Sequence, residues 1–425
     1  MFMMRATLQC LWSHESAFPT IFRRAMLLAQ LVMLMFAISP TAHAQSTFKL
    51  LHTFTPNGID GYDPVGDLVR DSSGNLYGVA ATGGILTCPP STWFTPLHGC
   101  GTIFRLSASG SFKVLYSFTG AADGSVPLSG LVRDANGNLF GTTSGGGYSI
   151  SCGPTGPSAC GSVFRLDNSG NLTVLHDFLG SASGDGAEPS GPLTLDGQGN
   201  LYGLTYTGGT EFGTIYKVTQ AGTETILHNF VRANLAGGLF PNGNIVLDAS
   251  GNLYGATSEG GSAICRTNTI IGGCGTLFKL DASGNAAVHY NFLWKTGWTP
   301  NGFLSQDASG DFYGTTRFLG SCDGAVYKLS GGTKTVLHNF CNRAIGAFPV
   351  GMVRDSVGNL YGATMFGGTG GCGSVFKVDA KGKETVLHNF TCGTDGAYPH
   401  GGVTLDAKGN LYGTTSGTIF ELSLP

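Results

Sequence analysis

The sequence predicts an all-β fold, a seven-bladed β-propeller with four-stranded blades, and three observations lead to it. Glycine accounts for 69 of 425 residues, where an average chain has about 7%, and it lacks the Gly-X-Y period of collagen. Apolar residues occur in short runs between turn residues, and no helical periodicity is sustained beyond the N-terminal segment. Four short motifs recur seven times each. Repeats of about 40–50 residues that each supply four strands are typical of propellers.

The first motif, D-x-x-G-N-L-Y-G, predicts a tight hairpin between the first and second strands of each blade. The aspartate can accept hydrogen bonds from the backbone of the turn, and the glycine can adopt the left-handed conformation. The motif begins at Asp71, Asp134, Asp196, Asp248, Asp307, Asp355 and Asp406. We predict left-handed backbone at Gly74, Gly137, Gly199, Gly251, Gly310, Gly358 and Gly409.

The other three motifs complete the blade. G-[TSA]-[IVL]-[FY]-[KR]-[LV] is the third strand, starting at Gly101, Gly161, Gly213, Gly275, Gly324, Gly373 and Gly417. V-L-H-x-F is the fourth strand, ending at Phe54, Phe118, Phe178, Phe230, Phe292, Phe340 and Phe390. The fourth motif is G-x-x-P followed closely by glycine, with its proline at Pro64, Pro127, Pro189, Pro241, Pro300, Pro349 and Pro399.

The order of the motifs predicts how the ring closes. A fourth strand at Phe48 to Phe54 precedes the first complete unit, and the third strand from Gly417 to Leu422 is the last. The N-terminal strand can therefore complete the last blade, which removes the free sheet edges. We expect residues 45–425 to form a single propeller domain of seven repeats.

Residues 1–44 have the features of a secretory signal peptide. Arg23 and Arg24 precede an apolar run, and Ala42-His43-Ala44 is an A-x-A cleavage signal, so we expect cleavage before Gln45. Cleavage changes the formal charge from −3 to −5, without the basic surface that nucleic-acid binding requires. We therefore expect an exported protein, extracellular or periplasmic, with no membrane span after cleavage and no nucleic-acid partner.

The ten cysteines that remain after cleavage predict five local disulfides, as is usual for exported chains. Three pairs lie within single loops, and two bracket a hairpin of third and fourth strands, whose flanks antiparallel pairing brings together. A zinc site is a weaker interpretation, because no C-x-x-C pair occurs; we expect no metal and no cofactor. The predicted pairs are Cys88–Cys100, Cys152–Cys160, Cys265–Cys274, Cys322–Cys341 and Cys372–Cys392.

The combination D-x-x-G-N-L-Y-G-x-T, G-T-[IV]-F-[KR] and V-L-H-x-F resembles the choice-of-anchor tandem-repeat proteins called GloVer-containing proteins. The resemblance covers about residues 48 to 422, nearly all of the mature chain. It implies a propeller-like repeat fold and does not imply an activity, because the family is known as a repeat without one.

The most variable part of each repeat predicts the position of a site. The loops between second and third strands and the connections between units share one end of the ring, which we call the loop face, and variable loops on a rigid scaffold commonly carry function. We expect a ligand site on this face, around the central opening. The candidate ligand-binding residues are Asp60, Asp123, Asp185, Asp395, Trp93, Trp298 and His400.

Each of these candidates also has a structural interpretation. The four aspartates precede the G-x-x-P motif and can cap Asp-Gly turns, and the aromatic residues can serve loop packing as well as sugar stacking. The histidines of V-L-H-x-F are interpreted as structural, because Tyr116 and Tyr290 replace them in two repeats.

The functional hypothesis from the sequence is a monomeric binding or interaction module for a glycan or a cell-surface partner. No G-x-S-x-G, H-E-x-x-H or P-loop motif is present, so catalytic residues are unknown and we lean against an enzyme. One alternative is an extracellular glycoside hydrolase or lyase that uses two of the four aspartates. A second alternative is a structural protein of the cell envelope.

Overall fold

The structure is a computed structural model, and it describes residues 46–56, 58–88, 99–146, 160–262, 265 and 272–424. The predicted signal peptide, Trp93 and Cys152 lie outside the described residues.

The described residues form 28 strands in seven four-stranded antiparallel sheets. The chain begins with β1 (Thr47–Thr53). Blade 1 contains β2 (Tyr62–Arg70), β3 (Leu76–Thr82), β4 (Thr102–Leu106) and β5 (Phe112–Ser117). Blade 2 contains β6 (Val132–Arg133), β7 (Leu139–Thr143), β8 (Ser162–Leu166) and β9 (Leu172–Asp177). Blade 3 contains β10 (Gly186–Leu195), β11 (Leu201–Gly208), β12 (Thr214–Val218) and β13 (Glu224–Asn229).

The remaining blades follow the same order. Blade 4 contains β14 (Leu239–Leu247), β15 (Leu253–Glu259), β16 (Thr276–Leu280) and β17 (Ala286–Asn291). Blade 5 contains β18 (Trp298–Gln306), β19 (Phe312–Phe318), β20 (Ala325–Ser330) and β21 (Thr333–Asn339). Blade 6 contains β22 (Ala347–Arg354), β23 (Leu360–Phe366), β24 (Ser374–Val378) and β25 (Glu384–Asn389). Blade 7 contains β26 (Val403–Leu405), β27 (Leu411–Thr415) and β28 (Thr418–Ser423), and three 3-10 helices occupy connections at Ser181–Ser183, Arg232–Gly237 and Trp294–Thr296.

The N-terminal strand closes the ring, as the motif order predicts. Strand β1 pairs antiparallel with β28, with Thr47 opposite Ser423 and Thr53 opposite Thr418. The sheet of blade 7 therefore has the order β1-β28-β27-β26. The fold is the predicted seven-bladed propeller.

The turns between first and second strands have the predicted chemistry. In blade 3 the Asp196 carboxylate accepts hydrogen bonds from the backbone N–H groups of Gln198 and Asn200, from the Asn200 amide and from the Tyr202 hydroxyl. The turn glycines all have positive φ, between 82° and 95°. The predicted left-handed conformation is confirmed for Gly74, Gly137, Gly199, Gly251, Gly310, Gly358 and Gly409.

The core lies between blades, and it is built from aromatic residues of two motifs. The phenylalanine that ends each V-L-H-x-F motif is almost fully buried, and its ring contacts the aromatic residue of the third strand in the next blade. The contact between Phe178 and Tyr216 has ring centroids 5.0 Å apart, and that between Phe390 and Phe420 has centroids 5.4 Å apart. Because the same contact recurs at each junction, neighbouring blades interlock around the whole ring.

The first strands are innermost, and they meet at glycines of the G-x-x-P motif. A Cβ on Gly66 would lie 2.2 Å from the backbone nitrogen of Gly130, and one on Gly191 would lie 2.1 Å from the carbonyl oxygen of Gly243. Side chains cannot be accommodated at such an approach. The glycine after the proline therefore allows the inner strands of adjacent blades to pack backbone against backbone.

The residue before each motif proline has an unusual backbone. Seven non-glycine residues there have φ between 50° and 57°, although this region is sparsely populated, above all for β-branched residues. They are Asp63, Val126, Glu188, Phe240, Thr299, Phe348 and Tyr398. Most of them donate a backbone hydrogen bond to the preceding blade, as Thr299 does to the Cys274 carbonyl at 3.0 Å. The left-handed conformation thus occurs together with a backbone hydrogen bond between adjacent blades.

Four of the five predicted disulfides are present. They join Cys88 to Cys100, Cys265 to Cys274, Cys322 to Cys341 and Cys372 to Cys392. The pair of Cys152 with Cys160 stays a prediction. Within the described part of the chain, no helix has the length and apolar character to cross a membrane.

Candidate functional site

The loop face carries a continuous chain of aromatic side chains from blade 5 to the connection before blade 7, which we call the aromatic belt. Two of its residues have the left-handed backbone before a motif proline, and a third is the neighbour of such a residue. Two others end second strands, and one lies in a connection. Its members are Trp294, Trp298, Phe318, Phe348, Phe366 and Tyr398. These residues belong to blades 5 and 6 and to the connections that precede blades 5 and 7.

Successive rings of the belt are in direct contact. Trp298 stacks between Trp294 and Phe318, with ring centroids 5.2 Å and 4.5 Å away. Phe348 continues the series with edge contacts to Phe318 at 5.8 Å and to Phe366 at 5.9 Å. Phe366 and Tyr398 complete it at 5.4 Å. The belt is thus one surface and not a set of separate side chains.

Three members of the belt are exposed to solvent. Trp294 is 45% exposed, Phe366 42% and Tyr398 39%. The guanidinium of Arg317 lies over the rings of Phe318 and Phe348, 5.7 Å from each centroid, in cation–π geometry. The belt therefore offers flat apolar faces next to a hydrogen-bond donor.

Of the predicted aromatic residues, Trp298 lies in the belt but as its support. It is only 5% exposed, because Trp294 covers it. Trp294 was missed by the sequence analysis, although it lies four residues earlier in the same connection. Comparison between the repeats did not indicate Trp294, because the connections before the other blades have no tryptophan at the equivalent position.

The predicted His400 lies on the inner strand side of blade 7 and contacts blade 1. Its Nε2 is 3.7 Å from Oδ1 of Asp63. Burial raises the pKa of Asp63, and the nearby His400 opposes that rise. This pair links the last repeat to the first on the loop face, apart from the belt.

The four predicted aspartates do not meet. Each is bonded within its own connection and to the outermost strand of the blade before it. Asp123 accepts hydrogen bonds from the Tyr116 hydroxyl and the backbone of Thr119, and Asp185 accepts them from His176 and from the backbone of Leu179. These contacts place the aspartates beside the outermost strands, at the edge of each sheet opposite to the innermost strands.

The other two aspartates have the same arrangement. Oδ2 of Asp60 lies 3.5 Å from Nε2 of His52, and Oδ2 of Asp395 lies 3.1 Å from Nε2 of His388. Burial tends to raise the pKa of Asp395, but the hydrogen bonds from Thr391 and His388 outweigh it and lower the pKa overall. These carboxylates are thus used to hold the connections in place.

A sequence signal for this pairing was available. An aspartate follows the His or Tyr of V-L-H-x-F by seven to nine residues in four repeats, and it contacts that side chain in all four. Three of the motif histidines, His52, His176 and His388, thus have an aspartate partner, and Tyr116 has one in the fourth case. A role of these four aspartates in ligand binding stays a prediction.

The central region holds a cavity of about 120 Å³. Asp67 on β2 lines it together with Asn244, Phe303 and Met352 from other inner strands. The carboxylate of Asp67 accepts a hydrogen bond from the backbone N–H of Gly402 at 2.6 Å. Burial raises the pKa of Asp67 to about 6 in spite of that bond. The sequence analysis missed this residue, which stands where other repeats have glycine, proline, asparagine or phenylalanine.

These features define a disulfide-linked seven-bladed propeller with an aromatic surface on its loop face. The chain belongs to the Gloeobacter/Verrucomicrobia repeat family, whose sequence profile matches residues 34–270 and 266–424. The resemblance found in the sequence is therefore confirmed. No match was found among curated proteins.

Solved structures with the same fold include two lyases. The streptogramin B lyase structure has a TM-score of 0.60 and 14% sequence identity, over 90% of this chain and 99% of that one. Virginiamycin B lyase from Staphylococcus aureus has a TM-score of 0.58 and 11% identity, over 90% of this chain and 100% of that one. At this identity the similarity establishes the fold alone.

Proposed function

We propose that the protein is an exported binding module that recognises a glycan through the aromatic belt. The observation that carries the proposal is the unbroken contact of six aromatic rings on the loop face, three of them exposed. Exposed apolar patches of this kind mark interaction sites in soluble proteins. Export is supported by the four disulfides, which are characteristic of oxidising compartments.

The chemistry of the belt favours a sugar as the ligand. A pyranose ring has an apolar C–H face that can lie on an aromatic ring, and its hydroxyls need hydrogen-bond partners at the edge. Trp294 and Phe366 offer the flat faces, the Tyr398 hydroxyl can donate or accept, and the Arg317 guanidinium can donate. Rings held in contact with each other lose little conformational freedom on binding, which favours affinity.

The arrangement of carboxylates supports binding over hydrolysis. Glycosidases need two carboxyl groups about 5–9.5 Å apart on either side of the scissile bond. Asp60, Asp123, Asp185 and Asp395 stand at four different blade junctions, and each is engaged in hydrogen bonds or an ion pair within its own connection. The hydrolase alternative therefore lacks support from the residues proposed for it.

A glycan array probed with the purified mature protein tests the proposal. The variants Trp294→Ala and Phe366→Ala remove exposed rings. The control is Val357→Ala, because Val357 is also an exposed apolar residue, at 74%, but lies in the turn of D-S-V-G-N at the other end of the ring. We expect the two belt variants to lose at least 10-fold in affinity for the glycans that the unmodified protein binds.

Three results would count against the proposal. Equal binding by all three variants would show that the belt is not the site. Absence of any glycan ligand, together with capture of a surface protein that depends on Trp294, would favour a protein partner. Release of shortened glycans during the incubation would favour the enzyme alternative.

A further inference from the structure

Each blade junction contains a slot between two outermost strands, and its occupant differs from junction to junction. One side of the slot is the His or Tyr of V-L-H-x-F in the first blade. The other side is a residue of the next blade, four positions before its own motif His or Tyr. Phe48 fills the slot beside His388 and Phe112 fills the slot beside His52, with stacked rings 4.2 Å and 3.8 Å apart. The next-blade residues at the junctions are Phe48, Phe112, Leu172, Glu224, Ala286, Lys334 and Glu384.

The slot exists at more than one junction and is filled by side chains of different sizes. Where the occupant is small, at Ala286 beside His228, a cavity of about 200 Å³ is left. Where the occupant is Lys334, its ammonium lies 4.7 Å from the ring centroids of Phe292 and Tyr327 and donates to the Thr296 carbonyl oxygen. The same position can therefore hold a ring or a positive charge.

The junction of blades 2 and 3 brings three potential metal ligands into this slot. His176 lies on β9, Asp185 lies in the connection, and Glu224 begins β13. One nitrogen or oxygen from each side chain lies within 4.8 Å of the other two, and His176 Nε2 is 3.1 Å from Asp185 Oδ2. Among the described residues this is the group of three that combines histidine with both kinds of carboxylate.

The charges of this group are not balanced by the protein. Oε1 of Glu224 is buried and has no hydrogen-bond partner among the described residues. A carboxylate oxygen withdrawn from water beside a second carboxylate is costly unless a cation compensates both. Lys334 occupies the equivalent slot of the next-but-one junction, whereas no lysine or arginine occupies the slot here.

We propose that His176, Asp185 and Glu224 bind a divalent first-row transition metal ion, such as Zn²⁺, which links blade 2 to blade 3. One imidazole and two carboxylates suit this class better than Ca²⁺ or Mg²⁺, which prefer all-oxygen ligands. Zinc ligands at about 2.0–2.2 Å from the ion lie about 3.3 Å from each other in a tetrahedron. The observed spacing of 3.1 to 4.8 Å needs only small movements of side chains to reach this.

The surroundings of Asp185 support a fixed ligand. Its residue is 8% exposed, and its two oxygens accept backbone hydrogen bonds from Leu179 at 2.8 Å and from Gly186 at 2.6 Å. Backbone donors that orient a carboxylate in this way are typical of the groups behind metal ligands. This site lies at the outermost strands, so it is separate from the aromatic belt and independent of the proposed function.

Calorimetric titration of tag-free mature protein, stripped with a chelator, tests the proposal with Zn²⁺ as the probe. We expect one equivalent of Zn²⁺ to bind, with at least 10-fold weaker binding in Glu224→Gln. The matched control is Glu384→Gln, which changes the same repeat position at the junction of blades 5 and 6, where Ile345 replaces the aspartate. We expect its Zn²⁺ affinity to equal that of the unmodified protein.

A second variant guards against a folding defect. His176→Tyr introduces the residue that Tyr116 and Tyr290 provide at two sister junctions, so it is compatible with the fold while it removes the nitrogen ligand. We expect Zn²⁺ to raise the melting temperature of the unmodified protein and of Glu384→Gln, but not of His176→Tyr or Glu224→Gln. Equal Zn²⁺ binding by all variants, or no binding by the unmodified protein, would overturn the proposal.

Discussion

Phe48, in the first described strand, stacks on the imidazole of His388 in the outermost strand of blade 6, with ring centroids 4.2 Å apart and planes 14° apart. The strand that closes the ring through hydrogen bonds to β28 therefore also packs against the neighbouring blade. Phe48 contacts Phe420 as well, at 5.7 Å. Ring closure thus depends on side-chain packing between blades in addition to the sheet of blade 7.

Phe48→Ala should destabilise the protein by about 2 kcal/mol, below the usual range for a fully buried phenylalanine because this ring is partly exposed. Urea unfolding measures the change in the free energy of unfolding. The control is Lys49→Ala on the same strand, where an exposed ion pair with Glu421 at 3.7 Å contributes about 0–1 kcal/mol. Equal effects of the two changes would contradict a packing role for Phe48.

Gly203→Ala should destabilise the protein by about 1–3 kcal/mol, the usual cost of overpacking. Gly203 on β11 is paired with Tyr216 on β12. A Cβ at Gly203 would lie 2.3 Å from the Tyr216 hydroxyl oxygen, because the Tyr216 side chain lies against the glycine. The glycine of N-L-Y-G meets the aromatic residue of the third strand in the same way in the other blades, as Gly255 meets Phe278. Thermal unfolding followed by circular dichroism measures the effect, and an unchanged melting temperature would contradict this account.

Gly199→Val should cost about 2 kcal/mol, because a β-branched residue is strained at the φ of 85° that Gly199 adopts. Gly197 in the same turn supplies the control. A Cβ there would contact nothing within 4 Å, so Gly197→Ala should be neutral or stabilising by a few tenths of a kcal/mol. The difference between the two variants in urea unfolding separates the conformational requirement from the loss of glycine itself.

Repetition explains which parts of the fold were predictable. The turn aspartates, the turn glycines and the closing strand are determined by local chemistry that recurs in each motif, so seven copies reinforce one interpretation. The left-handed residues before the prolines, such as Val126 and Thr299, share no residue type and are set by contacts between blades, so no local pattern indicates them.

The candidate site was less predictable for the same reason. Trp294 and Asp67 each occur in one repeat, where comparison between repeats gives no signal. The four aspartates on the loop face recur, and each contacts the histidine or tyrosine of the preceding blade. In a repeat protein, the residues that depart from the repeat are therefore the better guides to a site.

Replacing both cysteines of the Cys372–Cys392 pair by serine should lower the free energy of unfolding by about 3 kcal/mol. The disulfide closes a segment with a sequence separation of 20 residues around the hairpin of β24 and β25, and loop-closure entropy gives about this value for such a length. Unfolding in urea, with and without reductant, measures it. A reductant effect that persists undiminished in the double variant would show that the other disulfides dominate.

Asp67→Asn should stabilise the protein at pH 8 and have little effect at pH 4. Burial raises the pKa of Asp67 to about 6, so the folded state binds a proton more tightly than the unfolded state. The favourable contribution of the protonated carboxyl is complete below the unfolded pKa of about 4 and is lost as pH rises through about 6. Asparagine keeps an acceptor for the Gly402 N–H without the charge, so the expected gain at pH 8 is about 2 kcal/mol.

Asp196→Asn is the control of opposite sign. Burial tends to raise the pKa of Asp196, but its hydrogen bonds lower the pKa overall, so that variant should be destabilised at pH 8. Urea unfolding at both pH values measures the two, and the same pH dependence for both variants would contradict the burial of Asp67.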